Sequence, residues 1–340
     1  ASVLAINPKN GEVVVWVGGN NFRYLPYDLV LAKRQSASAF KPIVYAAAIE
    51  TGFTSCDYFS NVSVAYPAFE DWKPENYDGA DGGEVAMWYA LSHSLNVPTV
   101  DLYMKTGHSQ VERTAAGLGL ILPKTERPAL ALGTESFSLK EMTRAYGAFA
   151  NKGYINDLVM ISEIKAADGT LIYESSASQG RKSITKNAAN SVTKMLITAV
   201  QEGTGRRMAS GYGVKASLAG KTGTSQNYSD AWFISYNQDL VCGVWVGAMS
   251  PQVHFRGGAN GSGSALALPI AAKFYKKVEG NSVLRKKYLT GFGRLGLEND
   301  SVFCAPIREV QTDSDSTNAA FGIVKKVWDK IFDKDDSDQD

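Results

Sequence analysis

The sequence predicts an α+β protein: an antiparallel sheet flanked by helices, with an all-helical subdomain inserted between its early and late strands. Three observations lead there. Two runs rich in β-branched residues, 3–6 and 13–17, flank Asn10-Gly11, a strong hairpin signal. Helical periodicity then dominates the middle of the chain. Strand-like runs return at 216–224, 231–236 and 240–247, the last two linked by Asn237-Gln238-Asp239. Strands, helices and strands again describe a sheet carrying an insertion.

Taken in order, residues 38–51 read as a helix with Phe40, Ile43, Val44, Ala47 and Ala48 on one face. Pro42 is compatible because it falls in the first turn, where its missing N–H has no intrahelical partner. From about 54 to 84 the periodicity dissolves into aromatics and turn formers, an irregular stretch of a length that is usually functional. Its Tyr, Phe and Trp residues favour an ordered wall. Helices are predicted again at 85–93 and 97–106, with Ser94-Leu95-Asn96 between them. Ser138-Leu139-Lys140-Glu141 is a capping box opening a helix that stops near Asn151-Lys152-Gly153. Strands follow at 159–165 and 170–173, turned by Asp168-Gly169. A helix at 186–202 ends at Gly203-Thr204-Gly205. The glycine-rich run 257–263 reads as a flexible loop before a helix at 265–279.

These elements make residues 1–280 one expected domain. Residues 281–340 differ in character: a basic knot at Arg285-Lys286-Lys287, a serine/aspartate stretch and an acidic end. They read as a partly disordered extension, with one amphipathic segment from Phe321 to Phe332.

Composition excludes several functions. With 340 residues, 44% hydrophobic and 20% charged, the chain can bury a sizeable core. A net charge of +1 argues against a nucleic-acid-binding chain. Cys56, Cys242 and Cys304 are too few and too scattered for a disulfide framework or a zinc site, and Cys242 reads as a small core residue. His93, His108 and His254 lack ligand spacing, so neither a metal nor a cofactor is expected. No signal peptide is visible and no apolar run is long enough to span a bilayer. The abrupt opening on Ser2-Val3-Leu4-Ala5-Ile6 suggests a piece cut at a domain boundary.

The chemistry-bearing candidate is Ser38-Ala39-Phe40-Lys41. A hydroxyl and an amine three residues apart share one helix face, and a helix N-terminus favours developing negative charge. Ser-x-x-Lys occurs four times, however, at Ser38, Ser162, Ser183 and Ser191. Alone, Ser38 is a helix cap, Ser94 and Asn96 are helix-start residues, and Lys221 is a solvated strand-end charge. Order separates them: Ser38-x-x-Lys41, Ser94-x-Asn96 and Lys221-Thr222-Gly223-Thr224 follow one another, and Lys-Thr-Gly occurs once. A phosphate-binding loop ending at Gly220-Lys221-Thr222 is set aside because position 215 is lysine where that motif needs glycine.

The ordered triplet resembles the signature of penicillin-binding proteins and class A β-lactamases. The resemblance is to the transpeptidase domain of a class A, bifunctional penicillin-binding protein. It extends to Val17-Gly18-Gly19, Asn76-Tyr77-Asp78-Gly79, Asn96-Val97-Pro98, Ala131-Leu132-Gly133, Ala148-Phe149-Ala150-Asn151, Gly203-Thr204-Gly205 and Asp230-Ala231-Trp232-Phe233. It covers roughly residues 2–280. It implies a β-lactamase/transpeptidase-like fold and D,D-transpeptidation of peptidoglycan stem peptides ending in D-Ala-D-Ala. Ser38 would be the nucleophile and Lys41 its base. Ser94 would relay the proton, and Asn96 would hold Lys41 and a substrate amide. Lys221, Thr222 and Thr224 would fix the terminal carboxylate, with the amides of Ser38 and Thr224 as the oxyanion hole beside Gly223.

β-Lactams would then be covalent inhibitors rather than substrates, since the Glu-x-x-Leu-Asn string of class A β-lactamases is absent. The resemblance further implies an upstream membrane anchor, a glycosyltransferase domain and an extracytoplasmic location, with no nucleic-acid partner. A β-lactam sensor and a D,D-carboxypeptidase are the alternatives. Two departures stand out: Ser36-Ala37 where relatives usually have Pro-Gly, and Ser225 where threonine is commoner.

Overall fold

Residues 1–340 are described here by a computed structural model, apart from 20, 22, 25, 176–179, 294–303 and 309–340. The opening runs form β1 (Ser2–Ile6) and β2 (Val13–Val17), paired antiparallel with Val3 opposite Val17. The connection is wider than a two-residue hairpin. Asn7 and Glu12 pair through their backbones at 2.8 Å, and Gly11 sits at φ 76° inside that loop. Asn10 accepts from the Glu12 amide at 3.1 Å, so local side-chain bonding rather than Asn10-Gly11 alone shapes the turn.

After β3 (Arg34–Gln35), a 3₁₀ turn over Ala37–Ala39 leads into α1 (Lys41–Glu50). The helix therefore begins three residues later than predicted. It is also buried from Lys41 through Ile49, so it is a central core helix rather than one with a single apolar face. The 54–84 stretch stays largely irregular, with β4 (Tyr58–Ser60) and one 3₁₀ turn, before β5 (Glu84–Ala86) runs into α2 (Met87–His93). Helices α3 (Val97–Thr106) and α4 (His108–Gly117) follow, the second in a polar stretch where no helix was predicted.

Strand β6 (Ser136–Phe137) pairs with β3 and precedes α5 (Leu139–Ala150). The capping box is present in both directions: Ser138 Oγ accepts from the Glu141 amide at 3.1 Å, and Glu141 accepts from the Ser138 amide at 2.7 Å. Next come β7 (Tyr154–Ile155), β8 (Glu163–Lys165), β9 (Leu171–Glu174) and β10 (Arg181–Lys182), small ribbons outside the main sheet. Of the strand predicted at 159–165, residue 159 makes only an isolated bridge to Glu12. Helix α6 (Lys186–Gln201) is N-capped by Thr185, and α7 (Arg207–Ser210) is a single turn.

The sheet closes with β11 (Ala219–Thr224), β12 (Asp230–Tyr236) and β13 (Val241–Gly247), in the order β11-β12-β13-β1-β2. Neighbours are antiparallel throughout. Alternation along the strands sorts two apolar layers. Leu4, Ile6, Trp232, Ile234 and Trp245 face α1, α5 and α6. Ala5, Phe233, Cys242 and Val244 face the last long helix. Because both faces are covered, every residue of β12 is buried.

The glycine-rich 257–263 run is not a loop. It forms α8 (Gly258–Gly261) and the start of α9 (Gly263–Gly280), whose first amide donates to Thr224 Oγ1 at 3.0 Å. Tertiary contact supplies the order that the glycines lack by themselves.

Helix α10 (Ser282–Tyr288) packs on α9, and Phe292 is fully buried in the core. Strand β14 (Ile307–Arg308) adds to β5. Three cysteines make no disulfide framework, but two of them pair: Cys56 and Cys304 form a disulfide, with Cα atoms 5.7 Å apart and a sequence separation of 248. A pairing at that separation has no local signature. The bridge and β14 fasten residues 304–308 to the body, with the Ala86 amide donating to the Pro306 carbonyl at 2.9 Å. The amphipathic run 321–332 lies outside the described residues. Replacing Cys304 by serine is expected to lower the unfolding free energy by roughly 2–4 kcal/mol. Denaturant titration checks this, and an unchanged midpoint would show that the bridge does not restrain the chain.

Candidate active site

The unpaired edge of β11 faces the 3₁₀ turn that carries Ser38. A Cβ placed on Gly223 would stand 3.0 Å from the Ser36 carbonyl oxygen and 3.1 Å from the Ala39 amide nitrogen. The strand can lie this close only because that residue has no side chain. The turn and the Lys-Thr-Gly strand are thus neighbours, although about 180 residues separate them.

Ser38 is half-buried in the turn, and Lys41 is the first residue of α1. The Lys41 amine is fully buried with three acceptors in reach, the Ser94 carbonyl at 2.8 Å, the Leu95 carbonyl at 3.0 Å and Asn96 Oδ1 at 2.7 Å; the ammonium form can serve all three, the neutral amine two. No hydrogen bond joins it to the Ser38 hydroxyl among the described residues. Ser94 terminates α2 in a left-handed conformation, φ 62°, which turns its carbonyl toward Lys41. Its hydroxyl accepts from Lys221 Nζ at 2.7 Å. Lys221 is also fully buried and donates to the Thr222 carbonyl at 3.1 Å. Ser94 therefore sits between two amines, one on its backbone oxygen and one on its hydroxyl.

Two buried ammonium groups this close disfavour each other and their own charge. Burial, and then the neighbouring Lys221, pushes the Lys41 pKa well below that of an ordinary lysine. Burial lowers Lys221 to about 7. Among the described residues, neither amine forms an ion pair with a carboxylate. The arrangement can hold one neutral amine as a proton acceptor while the other keeps a charge for an anionic ligand.

Around this centre the remaining residues fall into place. Asn96 Nδ2 donates to the Glu75 carbonyl at 2.8 Å, which orients its Oδ1 toward Lys41. Thr222 Oγ1 donates to Thr204 Oγ1 at 2.9 Å. Thr224, at the strand end, accepts from Gly263. Hydrogen bonds thus join Lys41, Ser94, Asn96 and Lys221, and the strand carrying Lys221, Thr222, Gly223 and Thr224 lies against the turn that bears Ser38. Ser162, Ser183 and Ser191 belong elsewhere: Ser162 accepts from the Ser175 backbone amide beside a surface hairpin, Ser183 bonds to Gly153, and Ser191 lies within α6.

Sequence reasoning left two supporting residues without a role. Asn76 Oδ1 accepts from the amides of Asn96 at 2.7 Å and Val97 at 3.0 Å, capping α3 from a distant loop. Thr204 links the end of α6 to the Lys-Thr-Gly strand. Both lie in the strings Asn76-Tyr77-Asp78-Gly79 and Gly203-Thr204-Gly205, which was the available signal.

Comparisons with known proteins identify the family and the fold. The family model described as "Penicillin binding protein transpeptidase domain" matches residues 1–276. Penicillin-binding protein 1A of Aquifex aeolicus is 35% identical over 281 residues, covering 82% of this chain and 38% of that protein. The chain thus spans about two fifths of that relative's length. The crystal structure of penicillin-binding protein 1A from Haemophilus influenzae superposes with a TM-score of 0.75 at 21% identity, covering 90% of this chain and 49% of that one, and so shares the fold. The PonA1 protein of Mycobacterium tuberculosis, solved in complex with penicillin V, superposes with a TM-score of 0.70 at 25% identity, covering 83% of this chain and 78% of that one.

Proposed function

The chain belongs to the penicillin-binding protein transpeptidase domain family, and from that premise we propose that it is a D,D-transpeptidase cross-linking peptidoglycan stem peptides through an acyl-enzyme on Ser38. Residues 1–280 would form the catalytic domain and 281–340 its extension. In the first half-reaction Ser38 Oγ attacks the carbonyl of the penultimate D-alanine while its proton passes to Lys41. The amides of Ser38 and Thr224 take the developing oxyanion. Collapse breaks the bond to the terminal D-alanine, whose nitrogen receives a proton through Ser94. In the second half-reaction an acceptor amine attacks the ester, forms the cross-link and returns the hydroxyl of Ser38. Lys221, Thr222 and Thr224 hold the terminal carboxylate of the donor.

The observation that carries this reading is Ser94 held between two fully buried lysines, with Lys41 one turn from Ser38 and Lys221 on the adjoining strand. The charge left on that strand suits a carboxylate, and the lowered amine pKa suits proton abstraction. The same site takes a β-lactam as a substrate mimic. We place the domain outside the cytoplasmic membrane, on a longer protein carrying an anchor and a glycosyltransferase. No described helix is long and apolar enough to cross a membrane. The Cys56–Cys304 bridge fits an oxidising compartment.

Mass spectrometry after incubation with benzylpenicillin tests the proposal. The expected result is a stable adduct of one drug mass on the Ser38 peptide, absent in Ser38→Ala. Rapid turnover of the drug, or no adduct, would overturn it. Release of D-alanine from a D-Ala-D-Ala peptide without amine incorporation would instead identify a carboxypeptidase. No reaction with such peptides would identify a sensor.

A further inference from the structure

The turn bearing the nucleophile is held in an unusual way. Ala37, immediately before Ser38, lies at φ 48°, in the left-handed region that an L-residue with a side chain disfavours. On one side of it Gln35 is fixed, because Trp232 Nε1 donates to its carbonyl at 2.8 Å. On the other, the Tyr146 hydroxyl donates to the Ala39 carbonyl at 2.7 Å. Between these anchors lie Ser36, Ala37 and Ser38, in a turn closed by the Ala39 amide donating to the Ser36 carbonyl at 3.2 Å and the Phe40 amide donating to the Ala37 carbonyl at 2.9 Å.

What opposes a shift is Ser36. Its side chain is fully buried, and its hydroxyl reaches the Glu135 carbonyl at 3.0 Å and lies 3.4 Å from the Gly133 carbonyl. Its amide donates to Glu135 at 3.0 Å, and the next amide, of Ala37, donates to Gly133 at 2.8 Å. Relaxing Ala37 to a negative φ would pull these donors off the 133–135 segment and leave a buried hydroxyl without a partner. A proline at position 36 would lack both the N–H and the hydroxyl.

We infer that Ser36 is a positioning residue for the reaction at Ser38: its buried hydroxyl latches the turn to the 133–135 segment and keeps Ala37 left-handed, which aims the nucleophile. The inference rests on the transpeptidase reading above. Ser36 touches neither substrate nor Lys41, so its effect passes through the backbone of Ala37. The latch acts against the Ala37 conformation, so a glycine at 37, which adopts positive φ without penalty, makes it dispensable.

The test uses the full 340-residue chain and a fluorescent penicillin, with stopped-flow separation of the initial dissociation constant from the acylation rate constant. Ser36→Ala is expected to acylate about tenfold more slowly, the scale set by a small misplacement of reacting groups. Its dissociation constant and pH profile should be those of the unaltered protein. Ser36→Ala combined with Ala37→Gly should recover most of the rate. An unaltered rate in Ser36→Ala, a loss confined to the dissociation constant, or no recovery in the double variant would overturn the inference. Should Ser36→Ala fail to fold, Ala37→Gly alone decides: a higher melting temperature is expected, and a lower one would show that Ala37 is not strained. Failure of the unaltered protein to acylate Ser38 would overturn the transpeptidase reading itself, a distinct outcome.

Discussion

Replacing Lys41 by methionine is expected to slow acylation of Ser38 by about 10²–10⁴-fold, the range for loss of a positioned general base. Methionine keeps an unbranched stem of similar length in a fully buried position, but it leaves the Ser94 and Leu95 carbonyls and Asn96 Oδ1 without their donor, so a lower melting temperature is expected and the rate is compared on the folded fraction. The pH dependence carries the same information. The neutral amine is the form that accepts the Ser38 proton, so the rate should rise with pH through the lowered Lys41 pKa and then level off. In Lys41→Met that rise should disappear. Stability has a related slope. Lysines whose folded pKa lies below the unfolded value bind fewer protons folded than unfolded, so stability contributed by the pair rises with pH. For Lys221 the window runs from about 7 to 10.5. A rate that persists unchanged in Lys41→Met would assign the base elsewhere.

Gly133→Ala is expected to have the largest effect on stability of any single methyl added near the site. Gly133 lies at φ 77°, and a Cβ there would stand 2.0 Å from the Ala37 carbonyl oxygen, which is backbone and cannot rotate away. Left-handed strain alone costs about 1–2 kcal/mol. The clash adds to it, so a total of roughly 3 kcal/mol or more is expected. The displaced atom belongs to the peptide preceding Ser38, so the folded fraction should also acylate slowly. A melting curve and an acylation rate matching those of the unaltered protein would show that the close approach of Gly133 to Ala37 does not hold the turn.

What could be read from the chain beforehand divides along physical lines. The capping box at Ser138 and Glu141 was readable because its partners are three residues apart. Strands β11, β12 and β13 were readable because alternation and turn residues are local signals. Helix α4 was not, since its polar sequence forms a helix only against α1 and α3. The 257–263 run misled for the converse reason: glycines suggested freedom, whereas packing against Thr224 and the sheet imposes helix. Asn76 and Thr204 were visible only as members of family-like strings, because a hydrogen bond to a residue 20 or 18 positions away leaves no periodic trace.

By itself, then, the sequence determined the residue types and their order: a Ser-x-x-Lys, one of four, followed by a serine two before an asparagine and then by the single Lys-Thr-Gly on a strand. Those choices specify which chemistry is available, because hydroxyl, amine and amide reactivity belong to the side chains. Only the tertiary structure decided that both lysines lose their water, that Ser94 stands between them, that Cys56 meets Cys304, and that Ala37 is held left-handed. Burial, charge proximity and backbone strain are properties of which segments pack together, and the sheet that brings them together is built from both ends of the domain.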